Sequence, residues 1–365
     1  MQGKYKAFWL DSDENLVVLD QRLLPFEERT VTITDARETI EAISNMTVRG
    51  AGVIGNVGAF GVYLASRECC SDFNRLEELA DEIKDARPTA VNLSWAVNRM
   101  MKFANKKRTL DEKSFIEALK KEAIAIADED CIKTQKIAEI GADIIEEIIL
   151  NEGLDNFNVL THCNAGWLAV VDSGTALAPI YEAQKRGIDI HVWVDETRPR
   201  NQGANLTAWE LNRAGIEHTV IVDNTGGHLM QEGLVDMVIT GADRVARNGD
   251  SANKIGTYLK ALAAKDNNIP FYVAFPTSTF DFEILDGVDE IPIEVRAQDE
   301  VKFIKGIDRE DGTLREVQIV PTQSVAINYG FDVTPARLIT GLITERGDCK
   351  ANRDAIGKMF GDLIS

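Results

Sequence analysis

Beyond residue 156, short apolar runs alternate with segments of helical periodicity, and this alternation restricts the possible folds more than any other feature of the chain. The strand-like runs cover residues 157–160, 188–194, 218–222, 235–239 and 270–275. The helical patterns cover residues 174–185, 204–214 and 253–264. Apolar strands joined by helical crossovers are typical of a parallel sheet flanked by helices. The sequence therefore predicts an α/β fold with a Rossmann-like carboxyl-terminal domain.

The amino-terminal half has a different pattern, in which a small β-ribbon precedes a series of helices. The expected strands are residues 8–10, 16–19 and 30–33, and the expected helices are residues 36–46, 55–68, 74–86, 90–105 and 111–128. Residues 131–151 repeat apolar side chains at helical spacing and run into a helix stop at 151–153. We predict a strand and helical domain over 1–130, a connecting helix over 131–153 and a Rossmann-like catalytic domain over 154–365.

Charge and cysteine content narrow the range of functions. The 365 residues carry a net charge of −19, whereas a nucleic-acid-binding protein presents a basic surface. A few local cations and backbone N–H groups could still hold a phosphate. The five cysteines show no metal-ligand spacing, and no apolar run reaches the length of a membrane span. We therefore expect a cytoplasmic protein with no metal, no membrane association and no nucleic-acid partner.

Two reactive side chains follow predicted strands. Cys163 comes after the run 157–160, and Asp243 comes after the run 235–239. Open α/β sheets bind ligands at the carboxyl ends of their strands, so the two side chains should face one crevice. A thiol and a carboxylate placed there could transfer protons on a small molecule. We also expect a helix directly after Cys163, whose amino terminus would lower the pKa of the thiol.

Each of these residues also has a simpler interpretation. Cys163 could pack as a small hydrophobic side chain, and Asp243 could cap the next helix, although Asp250 suits the capping role better. A Cys-His hydrolase would need an imidazole that reaches the sulfur. His162 should instead point to the opposite side of the strand, which disfavours a hydrolase.

Two arginine motifs in the amino-terminal half are candidates for binding an anion. Arg49 precedes Gly50-Ala51 and a glycine-rich apolar segment, where an arginine and free backbone N–H groups could hold a phosphate. Arg87 precedes Pro88 near another expected helix start. Neither motif is specific when it is taken alone.

Further candidate ligand contacts lie in the carboxyl-terminal half. Asn253-Lys254 opens the helical run 253–264, so the lysine could pair with a phosphate or could simply be exposed on the surface. Gln202 could bind a sugar hydroxyl or cap the helix that follows it. No Gly-x-Gly-x-x-Gly follows a predicted strand, so the sequence does not support a dinucleotide cofactor.

Taken together and in order, these motifs resemble the methylthioribose-1-phosphate isomerase family over nearly the whole chain. The matching segments are Val48-Arg49-Gly50-Ala51, Arg87-Pro88-Thr89-Ala90-Val91-Asn92-Leu93, Thr161-His162-Cys163-Asn164-Ala165-Gly166, Asp195-Glu196-Thr197-Arg198-Pro199-Arg200, Gln202-Gly203-Ala204, Leu206-Thr207-Ala208-Trp209-Glu210, Gly241-Ala242-Asp243-Arg244, Asn253-Lys254-Ile255-Gly256-Thr257-Tyr258 and Val333-Thr334-Pro335. Related branches are the regulatory subunits of initiation factor 2B and ribose-1,5-bisphosphate isomerase.

The resemblance implies a homodimeric aldose–ketose isomerase without a cofactor, which converts 5-methylthioribose 1-phosphate to 5-methylthioribulose 1-phosphate in methionine salvage. It implies that Cys163 and Asp243 are the catalytic pair, with Asp243 as the proton donor. The implied substrate contacts are Arg49, Gly50, Ala51, Arg87, Gln202, Asn253 and Lys254. The alternatives are a sibling isomerase of 5-deoxyribose 1-phosphate or ribose 1,5-bisphosphate, and a non-catalytic regulatory protein.

Some residues depart from the commonest family pattern: Gly52, Trp167, Asp172 and Asn201. We expect them to reshape the pocket around the 5-substituent of the sugar. Two mechanisms remain open for the isomerisation. Cys163 could remove the C2 proton to give an enediolate while Asp243 protonates the ring oxygen, or a hydride could pass directly from C2 to C1.

Overall fold

In the computed structural model, which describes residues 6–69, 72–88 and 90–364, the chain begins with a small antiparallel sheet. Its strands β1 (Phe8–Leu10), β2 (Leu16–Leu19) and β3 (Thr30–Ile33) lie side by side in that order. The next elements are the helices α1 (Ala36–Ser44), α2 (Ala51–Cys69), α3 (Phe73–Asp85) and α4 (Val91–Lys107). The three strands have the predicted limits, and the helices differ from the predicted ones by a few residues at their ends.

Helix α5 (Glu112–Glu152) is one continuous helix of 41 residues where the sequence pattern predicts two. Asp111 caps its first turn, and Gly153 ends it in the left-handed conformation. The predicted limit between residues 130 and 131 therefore lies inside one helix, and the division into three segments stays a prediction. Neither α5 nor any other helix in the described part of the chain is long and apolar enough to cross a membrane.

The carboxyl-terminal half is built around a seven-stranded sheet. In chain order its elements are β4 (Phe157–Thr161), α6 (Ala178–Lys185), β5 (Ile190–Asp195), a π-helical turn (Gly203–Thr207), α7 (Ala208–Ala214), β6 (Glu217–Ile221), α8 (Thr225–Gln231), β7 (Met237–Thr240), β8 (Arg244–Ala246), β9 (Ser251–Lys254), α9 (Thr257–Asp266), β10 (Phe271–Ala274), a 3₁₀ turn (Thr277–Thr279), β11 (Phe280–Asp281), α10 (Gly287–Glu290), α11 (Asp299–Lys302), β12 (Phe303–Ile307), β13 (Leu314–Gln318), β14 (Phe331–Thr334), a 3₁₀ turn (Ala336–Leu338), β15 (Gly341–Thr344), β16 (Gly347–Cys349), α12 (Arg353–Phe360) and a last 3₁₀ turn (Gly361–Leu363).

The strand order of this sheet creates a crevice beside β4. The order is β16-β15-β10-β7-β4-β5-β6, and every pair is parallel except β15 with β16. The chain winds outward through β5 and β6 on one side of β4 and through β7, β10 and β15 on the other. The direction of winding therefore reverses between β4 and β7, which is where open α/β sheets place their ligands. We call the space beyond the carboxyl ends of β4 and β7 the switch crevice.

The strands β8 and β9, which follow β7 in the chain, belong to a separate four-stranded sheet in the order β11-β8-β9-β14. The sequence pattern predicts a helix over 253–264, but Ser251–Lys254 forms strand β9 and α9 begins only at Thr257. Strand β9 pairs with β14, in which Phe331 lies opposite Lys254. The first half of β9 pairs with the nearby strand β8, but Asn253 and Lys254 pair only with β14, so local periodicity could not reveal that they belong to a strand.

Candidate active site

Cys163 and Asp243 both lie at the switch crevice. Cys163 follows the last residue of β4, and Asp243 follows the last residue of β7. These two strands are directly paired, with Thr161 opposite Ile239. The backbone N–H of Asp243 donates to the carbonyl of Ala252, at 2.9 Å, which ties the aspartate to strand β9. Two adjacent parallel strands thus deliver the thiol and the carboxyl group to the same edge.

The backbone of Cys163 is held in the left-handed region, with φ of 68°. Its N–H donates to the hydroxyl of Thr197 at 2.8 Å, and its carbonyl accepts from the hydroxyl of Thr207 at 2.7 Å. Both threonines are fully buried. A non-glycine residue adopts this conformation at a cost in energy, so the surrounding structure must hold it there. The two hydroxyls therefore fix the backbone position from which the Cys163 side chain extends.

The helix expected directly after Cys163 is not formed. Residues 162–177 form turns and bends, and α6 begins only at Ala178, so no helix starts directly after the thiol. Burial instead raises the pKa of Cys163, which is 7% exposed, while the positive charges of Arg49 and Lys254 oppose that rise. The expected lowering of the pKa is therefore wrong in direction, and the thiol is the favoured form in the unliganded site.

Asp243 is surrounded by positive charge. Burial raises the pKa of its carboxyl group, and the charges of Lys254, Arg49 and Arg87 lower it in part. Glu294 raises it further. A carboxylic acid whose pKa is raised stays protonated to a higher pH, which suits a proton donor. Asp243 could therefore donate a proton within a cationic pocket of a strongly acidic protein.

Arg49 reaches the crevice from the amino-terminal half. Its guanidinium donates to the side-chain oxygen of Asn164 at 2.5 Å and to the backbone carbonyl of Asn164 at 3.0 Å. Gly50 has φ of 87°, and a Cβ there would lie 2.4 Å from the Cα of Ala169. Only glycine permits this approach without displacing the backbone. Ala51 begins α2, so the first turn of that helix also faces the site.

A small cavity of about 40 Å³ connects Gly50, Ala51, Arg87 and Asp243, all of which line it. The side chain of Arg87 is 13% exposed, and its guanidinium lies 3.6 Å from the carboxylate of Glu294. Burial lowers the pKa of Arg87, although Glu294 opposes this. The rest of the wall is mainly apolar: Ile54, Ala90, Arg244, Ala252, Ile291, Pro292, Ile293 and Phe331.

Gln202 lines a larger cavity of about 520 Å³ together with Arg49. It precedes the π-helical turn but makes no capping hydrogen bond with its side chain. Gln202 is 7% exposed, and its side-chain oxygen has no hydrogen-bond partner among the described residues. The capping alternative for Gln202 therefore finds no support in the structure.

Asn253 and Lys254 lie on strand β9, not at a helix start. Lys254 is 8% exposed and so is not a surface lysine. Its ammonium donates to the carbonyl of Gly330 at 2.7 Å and lies 4.7 Å from the ring centre of Phe331. Burial lowers the pKa of Lys254, while the charges of Cys163 and Asp243 raise it. The Asn253 amide donates to the hydroxyl of Thr257 at 3.0 Å, a bond within the protein.

His162 does not serve Cys163 as a base, because both of its ring nitrogens are engaged elsewhere. Nδ1 lies 2.8 Å from Asp195, and Nε2 lies 2.8 Å from the carbonyl of Ile255. His162, Asp195 and Asp223 bring ligand atoms within 4.8 Å of one another and are the one group in the described chain whose composition suits a metal ion. The ammonium of Lys260, 3.2 Å from Asp195, already supplies positive charge there.

The residues that depart from the family pattern do not all lie at this site. Trp167 and Asp172 line a separate groove of about 480 Å³, and Trp167 packs on Trp209 with ring centres 5.4 Å apart. The expectation that these two shape the substrate pocket therefore does not fit their positions. Asn201 does line the larger cavity, and Gly52 packs against the chain near Val170.

Comparison with known proteins shows the family. The sequence model of the initiation factor 2 subunit family matches residues 47–351. The methylthioribose-1-phosphate isomerase of Sulfurimonas denitrificans is 62% identical over 365 residues, which cover 99% of both chains. The methylthioribose-1-phosphate isomerase of Desulfatibacillum aliphaticivorans is 52% identical, over 100% of this chain and 99% of that one. This chain belongs to the methylthioribose-1-phosphate isomerase family.

Solved structures confirm the fold of this methylthioribose-1-phosphate isomerase family member. The 5-methylthioribose 1-phosphate isomerase of Pyrococcus horikoshii OT3 is 37% identical, with a TM-score of 0.82 over 98% of this chain and 96% of that one. The translation initiation factor eIF-2B subunit delta of A. fulgidus is also 37% identical, with a TM-score of 0.79 over 97% of this chain and 99% of that one. The predicted α/β fold and the family resemblance are therefore confirmed.

Several residues that shape the site of this methylthioribose-1-phosphate isomerase family member were not predicted to do so. Asn164 holds Arg49, and Thr197 and Thr207 hold the backbone of Cys163. All three lie in motifs that mark the family, but their partners are far away in sequence. No signal in a single sequence pairs them.

Proposed function

We propose that this chain is an aldose–ketose isomerase that converts 5-methylthioribose 1-phosphate to 5-methylthioribulose 1-phosphate in methionine salvage. The proposal rests on one observation above all, the meeting of Cys163 and Asp243 at the switch crevice among three cationic side chains. The names of relatives at 62% and 52% identity support the same reaction.

The cationic side chains suit a sugar phosphate. In the proposed complex the phosphate on C1 lies among Arg49, Arg87 and Lys254, whose charges all act on Asp243 in the unliganded site. A bound phosphate would balance part of the positive charge of these cations, which Asp243 and Glu294 otherwise balance. Gly50 and Ala51 add the first turn of α2, whose free N–H groups favour an anion. We assign Gln202 and Asn253 to the sugar hydroxyls.

The chemistry requires that the ring opens while the phosphate stays on C1. Protonated Asp243 gives its proton to the ring oxygen as the bond from that oxygen to C1 breaks, and the ring oxygen becomes a hydroxyl group. The hydrogen on C2 must then move to C1, and the hydroxyl on C2 gives its proton back to the carboxylate of Asp243, so that C2 becomes the ketone and Asp243 is protonated again. The raised pKa of Asp243 supports its role as the acid.

Two routes could move that hydrogen. As a thiolate, Cys163 would take the C2 proton and return it to C1 through an enediolate, and the positive charges of Arg49 and Lys254 support the thiolate. In the other route a hydride passes from C2 to C1, and the thiol only shapes the site. Turnover in deuterated water separates them, since deuterium at C1 of the product supports the enediolate and its complete absence supports hydride transfer.

The apolar walls of the small cavity support an apolar 5-substituent. Ile54, Ile291, Ile293 and Phe331 lie in its lining and favour such a group, although Arg87 and Arg244 line the same cavity. A methylthio or deoxy sugar fits such walls better than ribose 1,5-bisphosphate, whose second phosphate would need further cations. A comparison of kcat/KM for the three sugars tests this preference, and a preference for the bisphosphate would contradict it.

Replacement of the two proposed catalytic residues tests the function directly. We expect Cys163→Ser and Asp243→Asn each to reduce kcat at least about 100-fold, because each removes a proton-transfer group. Substrate affinity, measured by calorimetry on the inactive variants, should change little. Strong loss of affinity with kcat preserved would contradict the assignment. Ser324→Ala, in the loop before β14, serves as a matched control with unchanged kcat.

A regulatory function is the second candidate, since a structure with 37% identity is named as a subunit of translation initiation factor eIF-2B. The juxtaposed thiol and carboxyl group favour the enzyme. No turnover of any of the three sugars by the purified chain would favour the regulatory protein.

We further propose that the chain acts as a homodimer in the cytoplasm, as the family resemblance implies. Its mass by sedimentation equilibrium would then be twice the 40.3 kDa of one chain. A mass of 40.3 kDa at micromolar concentration would contradict the dimer.

A further inference from the structure

Glu210 is a fully buried carboxylate close to the proposed active site but outside the set of residues assigned to catalysis. It lies on α7 and accepts four hydrogen bonds from the loop after Cys163 and from α6. The donors are the Asn164 amide at 2.8 Å, the Trp167 N–H at 2.8 Å, the Leu168 N–H at 3.1 Å and the Tyr181 hydroxyl at 2.9 Å. A single carboxylate thus organises the segment from 164 to 168.

The fit of Glu210 into this loop is tight. A Cβ at Gly166 would lie 2.0 Å from a carboxylate oxygen of Glu210, so the loop can close over the carboxylate only with glycine at 166. Burial raises the pKa of Glu210, but its hydrogen bonds to Asn164, Tyr181 and the loop oppose that rise. Because the NH₂ group of Asn164 and both backbone N–H groups can only donate, the ionised carboxylate matches them best.

The contact with Asn164 determines which way its amide faces. The NH₂ group of Asn164 donates to Glu210, so the amide oxygen is left facing Arg49, whose guanidinium lies 2.5 Å away. If the amide turned over, its NH₂ group would meet the guanidinium and the hydrogen bond would be lost. The NH₂ group also donates to the hydroxyl of Thr207, at the longer distance of 3.3 Å, and Arg49 also donates to the backbone carbonyl of Asn164 at 3.0 Å. The carboxylate of Glu210 is thus the closer of two acceptors that orient the amide, and it supports one of the two hydrogen bonds that hold Arg49.

We propose that Glu210 is a positioning residue, which sets the guanidinium of Arg49 for phosphate binding by orienting the amide of Asn164. This inference rests on the proposed function in one respect, the assignment of Arg49 to the substrate phosphate. It explains why a carboxylate is buried here without an ion pair to any described residue, since three of its four donors belong to the loop that carries the site.

The test is Glu210→Gln, which keeps the shape but replaces one of the two accepting oxygens by an NH₂ group, so that the side chain can no longer accept from all of these donors. We expect KM for the sugar phosphate to rise about tenfold, the usual effect of losing one hydrogen bond to a charged group. We expect kcat to change less than about threefold, because Arg49 holds the phosphate alike in the ground state and the transition state. A purely structural role would instead lower the amount of folded enzyme and leave KM unchanged.

Tyr181→Phe is the matched control. It removes one hydrogen bond from the same carboxylate but leaves the bonds to Asn164, Trp167 and Leu168 in place, so KM should stay within about twofold of the original value. If KM rises equally in both variants, or in neither, the proposal is wrong.

Crystal structures of both variants separate this inference from the proposed function. If the unmodified enzyme turns over none of the sugars, the proposed function fails, but the contact of Arg49 with Asn164 can still be measured. It should be broken in Glu210→Gln and kept in Tyr181→Phe, and an intact contact in both would overturn the inference. If Glu210→Gln does not fold, Asn164→Ala replaces it, and an unchanged KM in that variant would overturn the inference equally.

Discussion

The protonation of Asp243 depends on a balance between burial and three neighbouring cations. Burial raises the pKa of its carboxyl group, and Lys254, Arg49 and Arg87 each lower it. Because Asp243 acts in its protonated form, it should control the basic limb of a plot of kcat/KM against pH, and that limb should lie above the usual range of an aspartic acid. Loss of activity as the pH rises would then report a carboxyl group that has lost its proton within the switch crevice.

Arg87→Gln should move this basic limb to higher pH. The substitution removes a positive charge that lowers the pKa of Asp243 and leaves Glu294, which raises it, without its neighbour. The pH dependence of kcat/KM measures the shift, and any ionisation of the free substrate is common to both enzymes. Arg87→Lys keeps the charge and should leave the limb in place. A limb that moves downward in Arg87→Gln would refute this electrostatic account.

For individual residues, the sequence predicted where Cys163 and Asp243 lie on the sheet but not which side chains surround them. Both follow apolar runs, so the edge of the sheet on which they lie could be predicted from strand polarity alone. The pKa of Cys163 could not, because the residues after it form turns held by Glu210, Thr197 and Thr207. Each of these holds the loop through a partner more than thirty residues away.

Among the elements, the start of α2 is the most sensitive to a small substitution. Gly50→Ala should lower the free energy of unfolding by about 2 kcal/mol or more. The alanine would have to adopt the unfavourable positive φ of Gly50, and its methyl group would collide with the backbone of Ala169. Urea denaturation measures the change. Gly357→Ala is the control, because Gly357 lies in α12 with no atom near its missing Cβ. That variant should gain about 0.5–1 kcal/mol from helix propensity.

Helix α11 is anchored through Glu300, which accepts hydrogen bonds from Arg200, Arg296 and Asn328. Burial opposes ionisation of Glu300, but Arg296 and Arg200 outweigh it and lower the pKa from 4.5 to about 2. The stabilisation that results is fully present above the unfolded-state value and is lost as the pH falls through the folded-state value.

Glu300→Gln should therefore lower the free energy of unfolding at pH 7, by an amount on the order of 3 kcal/mol. At pH 3 the difference between the two proteins should shrink to less than about half, which urea denaturation at both pH values would show. Glu316→Gln, at an exposed glutamate of the same cavity, should change stability little. A difference that grows on acidification would exclude this role for Glu300.

Element types were predictable where periodicity is strong and the neighbours are close in sequence. The strands of the parallel sheet and the helices of the amino-terminal half follow that rule. Strand β9 does not, because Asn253 and Lys254 join a sheet with β14, which is still distant in sequence at that point. Because α9 begins shortly after β9, the sequence pattern predicts that this helix starts too early and includes Asn253 and Lys254.

Across the whole molecule, α5 belongs to two hydrophobic cores. Phe115 and Leu119 pack in the core of the amino-terminal half, and Ile137 and Ile145 pack against the parallel sheet. The amino-terminal core also contains Leu206, from the carboxyl-terminal half. At 1.5 Å per residue the helix is about 60 Å long, which is enough to span both. The predicted three-part division therefore describes successive segments of the chain rather than independently folded domains.

We therefore expect the chain to unfold in one transition. Urea curves followed by tryptophan fluorescence and by far-ultraviolet circular dichroism should coincide, because neither core can lose α5 without exposing apolar surface. A substitution in one core, such as Ile145→Ala, should shift both curves together. Two separated midpoints would show that the halves are independent after all.

The wide spacing of the site residues along the chain has a consequence for synthesis on the ribosome. Arg49 emerges early, Cys163 and Asp243 follow much later, and Lys254 obtains its carbonyl partner only when Gly330 has been made. A chain that ends before Gly330 cannot give Lys254 this partner. Copies terminated before that point should therefore be inert towards the sugar phosphate.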